Sequence, residues 1–223
     1  MEACLQDRNI TTLVHFTQCS NIESILKHGI VPRNLLQKFG IEADMNDVER
    51  VDGKKNCSSI SISFPNGLNF YSFQCRDHSK DWCVIEIDPQ ILIEKSDQAY
   101  FCYTNASHVM PKTMNENELK TINAFNRMYE DPINYNSDYY PRWEDLDINN
   151  TTDVQAEILV EGIIDKEYIK KICFKDVDAI IKYNDIRKVM NIGKVQKYFY
   201  QRADHNFHKE GDSNGDQNVL YPF

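Results

Sequence analysis

Residues 13–32 of the chain read LVHFTQCSNIESILKHGIVP, and this segment carries signals for a strand, a helix and a stop in quick succession. Its first five residues alternate in character, which predicts a short strand with His15 on the face away from its apolar neighbours. Ser20 opens the sequence S-N-I-E, which has the spacing of a capping box and predicts that a helix begins there. Gly29 is expected to end that helix in a left-handed conformation, and Pro32 prevents it from continuing.

Further strands are predicted where apolar side chains alternate or run together between turn-forming residues. They are expected at residues 58–64, 82–87, 154–160 and 169–174, with a helix over 178–190. Short strands, few helices and no repeated βα alternation indicate an α+β fold rather than a doubly wound parallel sheet. The sequence contains no GxGxxG fingerprint and no Walker A motif, so it predicts neither a Rossmann domain nor a P-loop.

Length and composition are those of an ordinary folded domain. The 223 residues are 41% hydrophobic and 26% charged, which suits one domain over residues 1–223 with a loose tail from about Asp204. The sequence has neither the roughly 18 unbroken apolar residues of a spanning helix nor the pattern of a secretory signal. Seven scattered cysteines without a CxxC pair predict reduced thiols, no disulfide framework and no metal site. We therefore expect a cytoplasmic protein that does not bind membranes.

The formal net charge of −9 argues against a surface that is basic throughout, as a general binder of polyanions would have. The charge is nevertheless uneven along the chain, because residues 116–153 are rich in Asp and Glu. Basic residues are concentrated earlier, at Arg33, Lys38, Arg50, Lys54, Lys55, Arg76 and Lys80. This distribution is compatible with a local basic groove and equally with ordinary solvated loops.

Polar side chains within apolar strands are candidates for chemistry. His15 either donates to a ligand hydroxyl in a cleft or is a core histidine satisfied by the backbone. Glu157 shares one face of the 154–160 strand with Gln155, where a carboxylate is exposed, paired or used. Tyr71, in an aromatic cluster after the serine-rich strand, is placed either to stack on a planar ligand or to pack in the core.

The order of these elements resembles the ADP-ribosyltransferase superfamily, and more narrowly the DarT family of DNA ADP-ribosyltransferases. The blocks that carry the resemblance follow the family order from about residue 13 to residue 174. They are His15-Phe16-Thr17 with Asn21, Ile25, Leu26 and Gly29; Asp47-Val48-Glu49-Arg50; residues 59–66 running on to Phe70-Tyr71; Tyr103-Thr104-Asn105-Ala106; and residues 155–160, QAEILV. The serine-rich strand ending in SFPN is more similar to guanine-modifying than to thymidine-modifying members, so guanine is the expected target.

The resemblance implies a split β-sheet core with flanking short helices, and it implies roles for named residues. Glu157 would hold the ribose 2′-hydroxyl of NAD⁺ beside the developing positive charge, and Arg50 would lie beside the diphosphate or the target base; both count as catalytic. The implied NAD⁺-binding residues are His15, Phe16, Thr17, Asn21, Gly29, Ser63 and Tyr71, the last two beside the nicotinamide. The implied residues for the DNA acceptor are Gln155, Asn105, Tyr140 and Trp143.

A member of this family would transfer ADP-ribose from NAD⁺ to a base in single-stranded DNA, without a metal, as the toxin of a toxin–antitoxin system. Its implied partners are single-stranded DNA and a macrodomain antitoxin that removes the modification. Alternatives remain open at this point: an RNA-directed or protein-directed transferase, an NAD⁺ glycohydrolase with water as acceptor, or a non-catalytic NAD⁺- or nucleic-acid-binding module. The aromatic residues between 129 and 143 are likewise either a stacking surface for bases or a packed lid.

Overall fold

The computed structural model describes residues 1–45, 52–131, 142, 144, 146–183 and 198. Within this part of the chain there are six strands and eight short α-helices. The strands are β1 (Leu13–Gln18), β2 (Cys57–Ile62), β3 (Trp82–Ile87), β4 (Ala99–Cys102), β5 (Glu157–Glu161) and β6 (Ile169–Phe174). The helices are α1 (Glu2–Asp7), α2 (Ile22–His28), α3 (Gly67–Arg76), α4 (Gln90–Glu94), α5 (Val109–Thr113), α6 (Glu116–Leu119), α7 (Ile122–Arg127) and α8 (Val177–Lys182).

The described strands form one antiparallel sheet in the order β4-β5-β2-β1-β3-β6. β1 pairs with β3 over its whole length, but with β2 only through Leu13–Ile62 and Val14–Ser61. Beyond Val14 the two central strands diverge, so the sheet is split between β1 and β2. The predicted α+β architecture, a split sheet with flanking short helices, is confirmed.

Apolar side chains cover one face of the sheet continuously and the other face in two separate patches. The continuous face holds the main core, where Phe125 of α7 and Ile180 of α8 pack with strand residues such as Ile158. On the opposite face, one patch surrounds Val14 on the β1–β3–β6 side of the split. The other patch surrounds Leu159 on the β4–β5–β2 side. The two patches leave a gap between them at the centre of the sheet.

This gap is polar and lies where the sheet splits. Ser61 is paired with Val14, and Ser59 is paired with Leu159. Partners directly opposite each other on neighbouring strands point to the same face, so both serines belong to the face that carries the two apolar patches. Glu157 lies two residues before Leu159 and therefore points to that face as well. The fold thus places a carboxylate and two hydroxyls at the opening of the split.

Gly29 ends α2 with φ 78° and ψ −173°, a positive φ as predicted, and it does so in a crowded position. A Cβ at this residue would lie 2.3 Å from the carbonyl oxygen of Ile164. The close approach lets Ile30 and Ile164 exchange two backbone hydrogen bonds, of 2.9 and 3.0 Å. Glycine is therefore required here by space as well as by backbone conformation.

Ser20 does not cap α2, so the capping-box prediction is wrong. The chain first makes a 3₁₀ turn over Cys19–Asn21, α2 begins at Ile22, and no side chain caps its N-terminus. The Ser20 hydroxyl instead donates to the carboxylate of Asp44 at 2.5 Å. A partner distant in sequence has taken the hydroxyl that local amides were expected to use.

Two of the downstream strands have the predicted bounds, but the strand predicted at 154–160 begins only at Glu157. The carboxylate of Asp153 accepts a hydrogen bond from the amide of Gln155 at 2.7 Å. This contact turns the chain just before it enters the sheet. Gln155 consequently lies in a turn and not on the strand face that Glu157 occupies.

The segment after the serine-rich strand is a helix, α3, that the sequence analysis did not predict. Asn66 starts it, because its side chain accepts a hydrogen bond from the amide of Asn69 at 3.2 Å. The helix predicted over 178–190 is present as α8 up to Lys182. The end of that range and the tail predicted from Asp204 lie outside the described residues.

Candidate active site

Glu157 is held at the opening of the split sheet by one hydrogen bond to each carboxylate oxygen. The residue is only 8% exposed. Oε2 accepts from the Ser59 hydroxyl on the neighbouring strand, and Oε1 accepts from the backbone amide of Ala106 at 2.7 Å. A buried carboxylate requires such donors, since removal from water is otherwise costly. The two contacts fix the carboxylate in place before any ligand binds.

His15 occupies the other side of the split, on β1. Its Nδ1 lies 2.8 Å from the carbonyl oxygen of Ser59, and because a carbonyl only accepts, Nδ1 is the donor. The imidazole thereby takes a backbone acceptor that a continuing β1–β2 ladder would have used. The sequence left open whether His15 is satisfied by the backbone or lines a cleft, and it does both.

A cleft of about 420 Å³ surrounds these side chains, which is within the size range of small-ligand sites. Its walls come from β1, β2, α3 and the segments that follow α2. The ring of Phe16 stiffens one wall by stacking on Phe70, with the ring centres 4.7 Å apart. Seven of the predicted site residues line the cleft: His15, Phe16, Thr17, Asn21, Gly29, Asn105 and Glu157.

Asn21 lines the cleft, but the protein itself uses its side-chain amide. Nδ2 donates to the Thr17 hydroxyl at 3.0 Å and to the carbonyl oxygen of Asp44 at 2.9 Å. Oδ1 accepts from the amide of Asp44 at 2.9 Å. Asn21 is therefore a clamp that holds residues 41–45 beside β1, and its first role is to position a wall of the cleft.

Ser63, Tyr71 and Gln155 are not among the described residues that line the cleft. Ser63 lies beyond the end of β2 with φ 59°, and its amide donates to the carbonyl of Thr12 at 3.1 Å. Tyr71 lies on α3 and is 44% exposed. The same elements contribute other side chains to the cleft, namely Ser59, Ser61, Phe73 and Arg76. The remaining predicted residues, Arg50, Tyr140 and Trp143, lie outside the described part of the chain.

The structure adds site residues that the sequence analysis did not single out. Ser59 and Ala106 hold Glu157, and both belong to sequence blocks already compared with the DarT family. Choosing Ser59 among alternating serines requires the register of β2 against β5, which a local pattern does not contain. Asn66 also lines the cleft; it is 3% exposed, and its Nδ2 has no hydrogen-bond partner. A buried donor of this kind is suited to a ligand oxygen.

The surroundings of Glu157 keep a nearby thiol unreactive. Cys102 pairs with Glu157 across the β4–β5 ladder. Burial, and secondarily the charge of that carboxylate, raise the pKa of the Cys102 thiol, which therefore stays protonated and a poor nucleophile. In the described ranges no group of three or more His, Cys, Asp or Glu side chains is arranged to hold a metal ion.

A second cavity of about 420 Å³ lies beside the first, around the far end of β5. Two of the charged residues that line it, Lys54 and Glu161, take part in ion pairs. Lys54 forms an ion pair with Glu116, and Lys120 lies 3.4 Å from Glu161. The charges of Lys54 and Glu161 in this neighbouring cavity are therefore already paired within the protein.

A split antiparallel sheet that places a strand histidine and a buried strand glutamate around one cleft is an ADP-ribosyltransferase-like arrangement. Comparison with models of protein families matches residues 14–204 to the family described as "ssDNA thymidine ADP-ribosyltransferase, DarT". Because the match covers most of the chain, the protein belongs to the DarT family.

Solved structures of that family have the same fold. Thermus sp. 2.9 DarT in complex with ADP-ribosylated ssDNA superposes with a TM-score of 0.55 at 10% identity, over 84% of this chain and 93% of that chain. Thermosipho africanus DarTG in complex with ADP-ribose superposes with a TM-score of 0.52 at 15% identity, over 88% of this chain. The match spans 54% of the Thermosipho africanus chain, so the present chain corresponds to about half of it. At these identities the likeness concerns the fold alone.

The Thermus sp. 2.9 protein in complex with NAD⁺ superposes with a TM-score of 0.48 at 11% identity, over 84% of this chain and 93% of that chain. A search of curated proteins finds no significant match. Among the helices that the structure describes, none combines the length and hydropathy of a membrane span.

Proposed function

We propose that this protein transfers ADP-ribose from NAD⁺ to a base in single-stranded DNA and releases nicotinamide. The observation that carries the proposal is Glu157, a buried carboxylate fixed by two hydrogen bonds in a cleft of ligand size. Membership of the DarT family supports the same activity, because the family description names this reaction class.

The chemistry of the reaction explains why a fixed carboxylate is needed. The bond between C1′ of the ribose and the nicotinamide nitrogen breaks, and its electron pair leaves with nicotinamide. Positive charge develops at C1′, and an anion held nearby stabilises that charge more in the transition state than in the ground state. A nitrogen of the base then bonds to C1′ and releases a proton. We assign the anion to Glu157, which also accepts from the ribose 2′-hydroxyl.

The roles of the other cleft residues follow from their fixed positions. His15, oriented by the Ser59 carbonyl, is assigned to the ribose on the adenosine side of NAD⁺. Phe16, Thr17 and Gly29 line the same cleft and are assigned to NAD⁺ as well. Asn105 lies next to the amide that holds Glu157 and is assigned to the acceptor base.

The identity of the target base is a finer proposal, and we favour guanine. Its support is the similarity of the serine-rich strand, ending in SFPN at residues 63–66, to guanine-modifying members. The family description itself names thymidine. Oligonucleotides of deoxyadenosine that contain one guanine or one thymine test the choice by intact mass. Modification of the guanine oligonucleotide alone supports guanine, and modification of the thymine oligonucleotide alone contradicts it.

The acceptor class is tested by offering NAD⁺ together with single-stranded DNA, duplex DNA, RNA or protein in separate reactions. Extruding a base from a duplex costs a few kcal/mol, so single strands are expected to react best. Preferential labelling of RNA or protein would contradict the DNA assignment. Release of nicotinamide at the same rate without any acceptor would indicate a glycohydrolase.

We also propose a partner that reverses the modification, a macrodomain antitoxin. An activity that modifies DNA is harmful to the cell that produces it, so a reversing activity is expected beside it. The test is to add a macrodomain to purified ADP-ribosylated oligonucleotide and to follow the mass. Return of the unmodified mass supports the proposal, and a persistent adduct contradicts it.

A further inference from the structure

Arg33 places a cationic group without a partner in the wall of the cleft. The residue begins the 3₁₀ turn Arg33–Leu35 that follows α2, is half-buried and lines the cleft. Its Nη1 is shielded from solvent and has no hydrogen-bond partner. The ion pairs of the described residues do not include Arg33.

Such an arrangement is costly for the folded protein on its own. A guanidinium remains charged at every physiological pH, and a buried donor that has lost water without gaining an acceptor destabilises the fold. Groups of this kind persist in native proteins where a ligand supplies the missing acceptor. Nη1 of Arg33 lacks an acceptor in the described part of the chain, and an anion supplies acceptor oxygens together with the opposite charge.

The backbone that carries Arg33 is fixed on both sides. Before it, Ile30 exchanges two backbone hydrogen bonds with Ile164. The two segments can approach this closely because residue 29 is a glycine and has no Cβ. After it, the amide of Asn34 donates to the carbonyl of Lys55 at 3.0 Å. A binding side chain on a rigid support loses less freedom when the ligand arrives.

We propose that Arg33 binds the diphosphate of NAD⁺, an assignment that rests on the proposed function. The diphosphate is the anionic unit of NAD⁺, and a guanidinium fork matches phosphate oxygens with two parallel hydrogen bonds. Lys54, which lines the second cavity, is already paired with Glu116, whereas Arg33 is not paired with a carboxylate of the described residues. Asn66, another buried cleft donor without a partner, is neutral and does not require an anion.

The same phosphate chemistry is present in the DNA backbone, so the experiment separates the two sources. Calorimetry measures binding of ADP-ribose and of adenosine, which lacks the diphosphate, to wild-type protein, Arg33→Gln and Lys38→Gln. Lys38 is exposed on the adjacent turn and does not line the cleft, so its substitution controls for the loss of one positive charge. Steady-state assays then give separate KM values for NAD⁺ and for a single-stranded oligonucleotide.

We expect Arg33→Gln to weaken ADP-ribose binding about 10- to 100-fold, the range for a hydrogen bond to a charged group, and to leave adenosine binding within twofold. The KM for NAD⁺ rises and the KM for the oligonucleotide does not. Without ligand, the variant unfolds at a temperature no lower than wild type, because it removes a buried donor that lacks a partner. Lys38→Gln behaves as wild type in every assay.

Other results would overturn the proposal. Equal affinity of Arg33→Gln and wild type for ADP-ribose would remove the assignment and leave the proposed function standing. Equal losses for ADP-ribose and adenosine would indicate a general disturbance of the cleft. A rise in the KM for the oligonucleotide alone would mean that the phosphate belongs to DNA. Absence of ADP-ribose binding by the wild-type protein would overturn this assignment and the proposed function together.

Discussion

Ser59 connects the two sides of the split sheet through two different groups. Its hydroxyl donates to Glu157, and its carbonyl accepts from Nδ1 of His15. One residue of β2 therefore orients both side chains to which we assign roles in the proposed reaction. Because the hydroxyl and the carbonyl act separately, a substitution of the side chain removes one contact and leaves the other.

Replacement of Glu157 by Gln tests the charge of the carboxylate with little change in shape. The side-chain oxygen of the introduced Gln can still accept a hydrogen bond from the backbone amide of Ala106. The neutral side chain no longer stabilises positive charge at C1′. We expect kcat to fall by about 10²- to 10³-fold, the range for loss of a preorganised electrostatic contact, with a much smaller change in the KM for NAD⁺. Nicotinamide release under single turnover measures the effect. A fall of less than tenfold would show that Glu157 does not have this role.

Substitution of Ser59 and of Ser63 by Ala separates the observed site from the one expected by resemblance. Loss of the Ser59 hydroxyl removes one of the hydrogen bonds that hold the Glu157 carboxylate, and kcat is expected to fall about 10- to 100-fold. Ser63 does not line the cleft, so its substitution is expected to have the smaller effect. The comparison uses kcat and hydrogen exchange of both proteins. A larger loss in Ser63→Ala would contradict the geometry.

At the scale of single residues, the sequence identifies polar side chains within apolar strands better than it identifies the residues that hold them in place. A histidine and a glutamate within apolar strands are visible in the sequence, and His15 and Glu157 do line one cleft. Ser59 and Ser63 share the same alternation, and only the pairing of β2 with β5 distinguishes them. Ser63 has already left the ladder, with a positive φ that no apolar pattern predicts.

Among the elements, the segment 41–45 depends on a side-chain clamp and not on regular structure. Asn21→Ala removes the acceptor for the Asp44 amide and both donors that Asn21 supplies. We expect faster hydrogen exchange in residues 41–45 and a higher KM for NAD⁺, because that segment forms a wall of the cleft. Exchange measured by mass spectrometry provides the check. Unchanged protection of the segment would show that other contacts hold it.

The turn after α2 depends on Gly29. Gly29→Ala places a Cβ against the carbonyl of Ile164 and imposes a φ of 78° on a residue with a side chain. Strained backbone costs about 1–3 kcal/mol, and the steric conflict adds to it, so the unfolding temperature is expected to fall by several degrees. Gly40→Ala is a matched control, since Gly40 has φ 62° with open space around it. Equal losses in the two variants would contradict the steric argument.

Elements are predictable from sequence where their signals are local and uncontested. The φ of Gly29 and the bounds of β3 and β6 follow from such signals. The start of α2 does not, because the Ser20 hydroxyl finds Asp44 across a distance in the sequence. The strand that begins at Glu157 is shorter than predicted for a different reason: a local hydrogen bond, from the amide of Gln155 to the carboxylate of Asp153, interrupts the apolar alternation.

At the scale of the whole molecule, the candidate active site is a polar interruption between two apolar patches on one face of a sheet. The order of motif blocks along the chain was sufficient to predict the fold class, since each block that the structure describes contributes to a strand or to the cleft. The order of strands in the sheet, β4-β5-β2-β1-β3-β6, is set by contacts between distant segments. Local patterns do not contain that information.

The net charge of −9 leads to a prediction about salt. A chain with this charge holds a polyanion only through local cations, and each phosphate contact on a single strand contributes about −0.7 to the slope of log affinity against log salt. We expect the KM for the oligonucleotide to rise steeply between low and moderate salt, while the KM for NAD⁺ changes little. Titration of both values with sodium chloride measures this. A flat response for the oligonucleotide would contradict a phosphate-based DNA site.

The most direct test of the central claim is the intact mass of a mixed-sequence single-stranded oligonucleotide after incubation with protein and NAD⁺. We expect a mass gain of one ADP-ribose, together with nicotinamide release, and almost no mass gain with Glu157→Gln. Release of nicotinamide without a change in the mass of the DNA, or an undiminished adduct with Glu157→Gln, would contradict it.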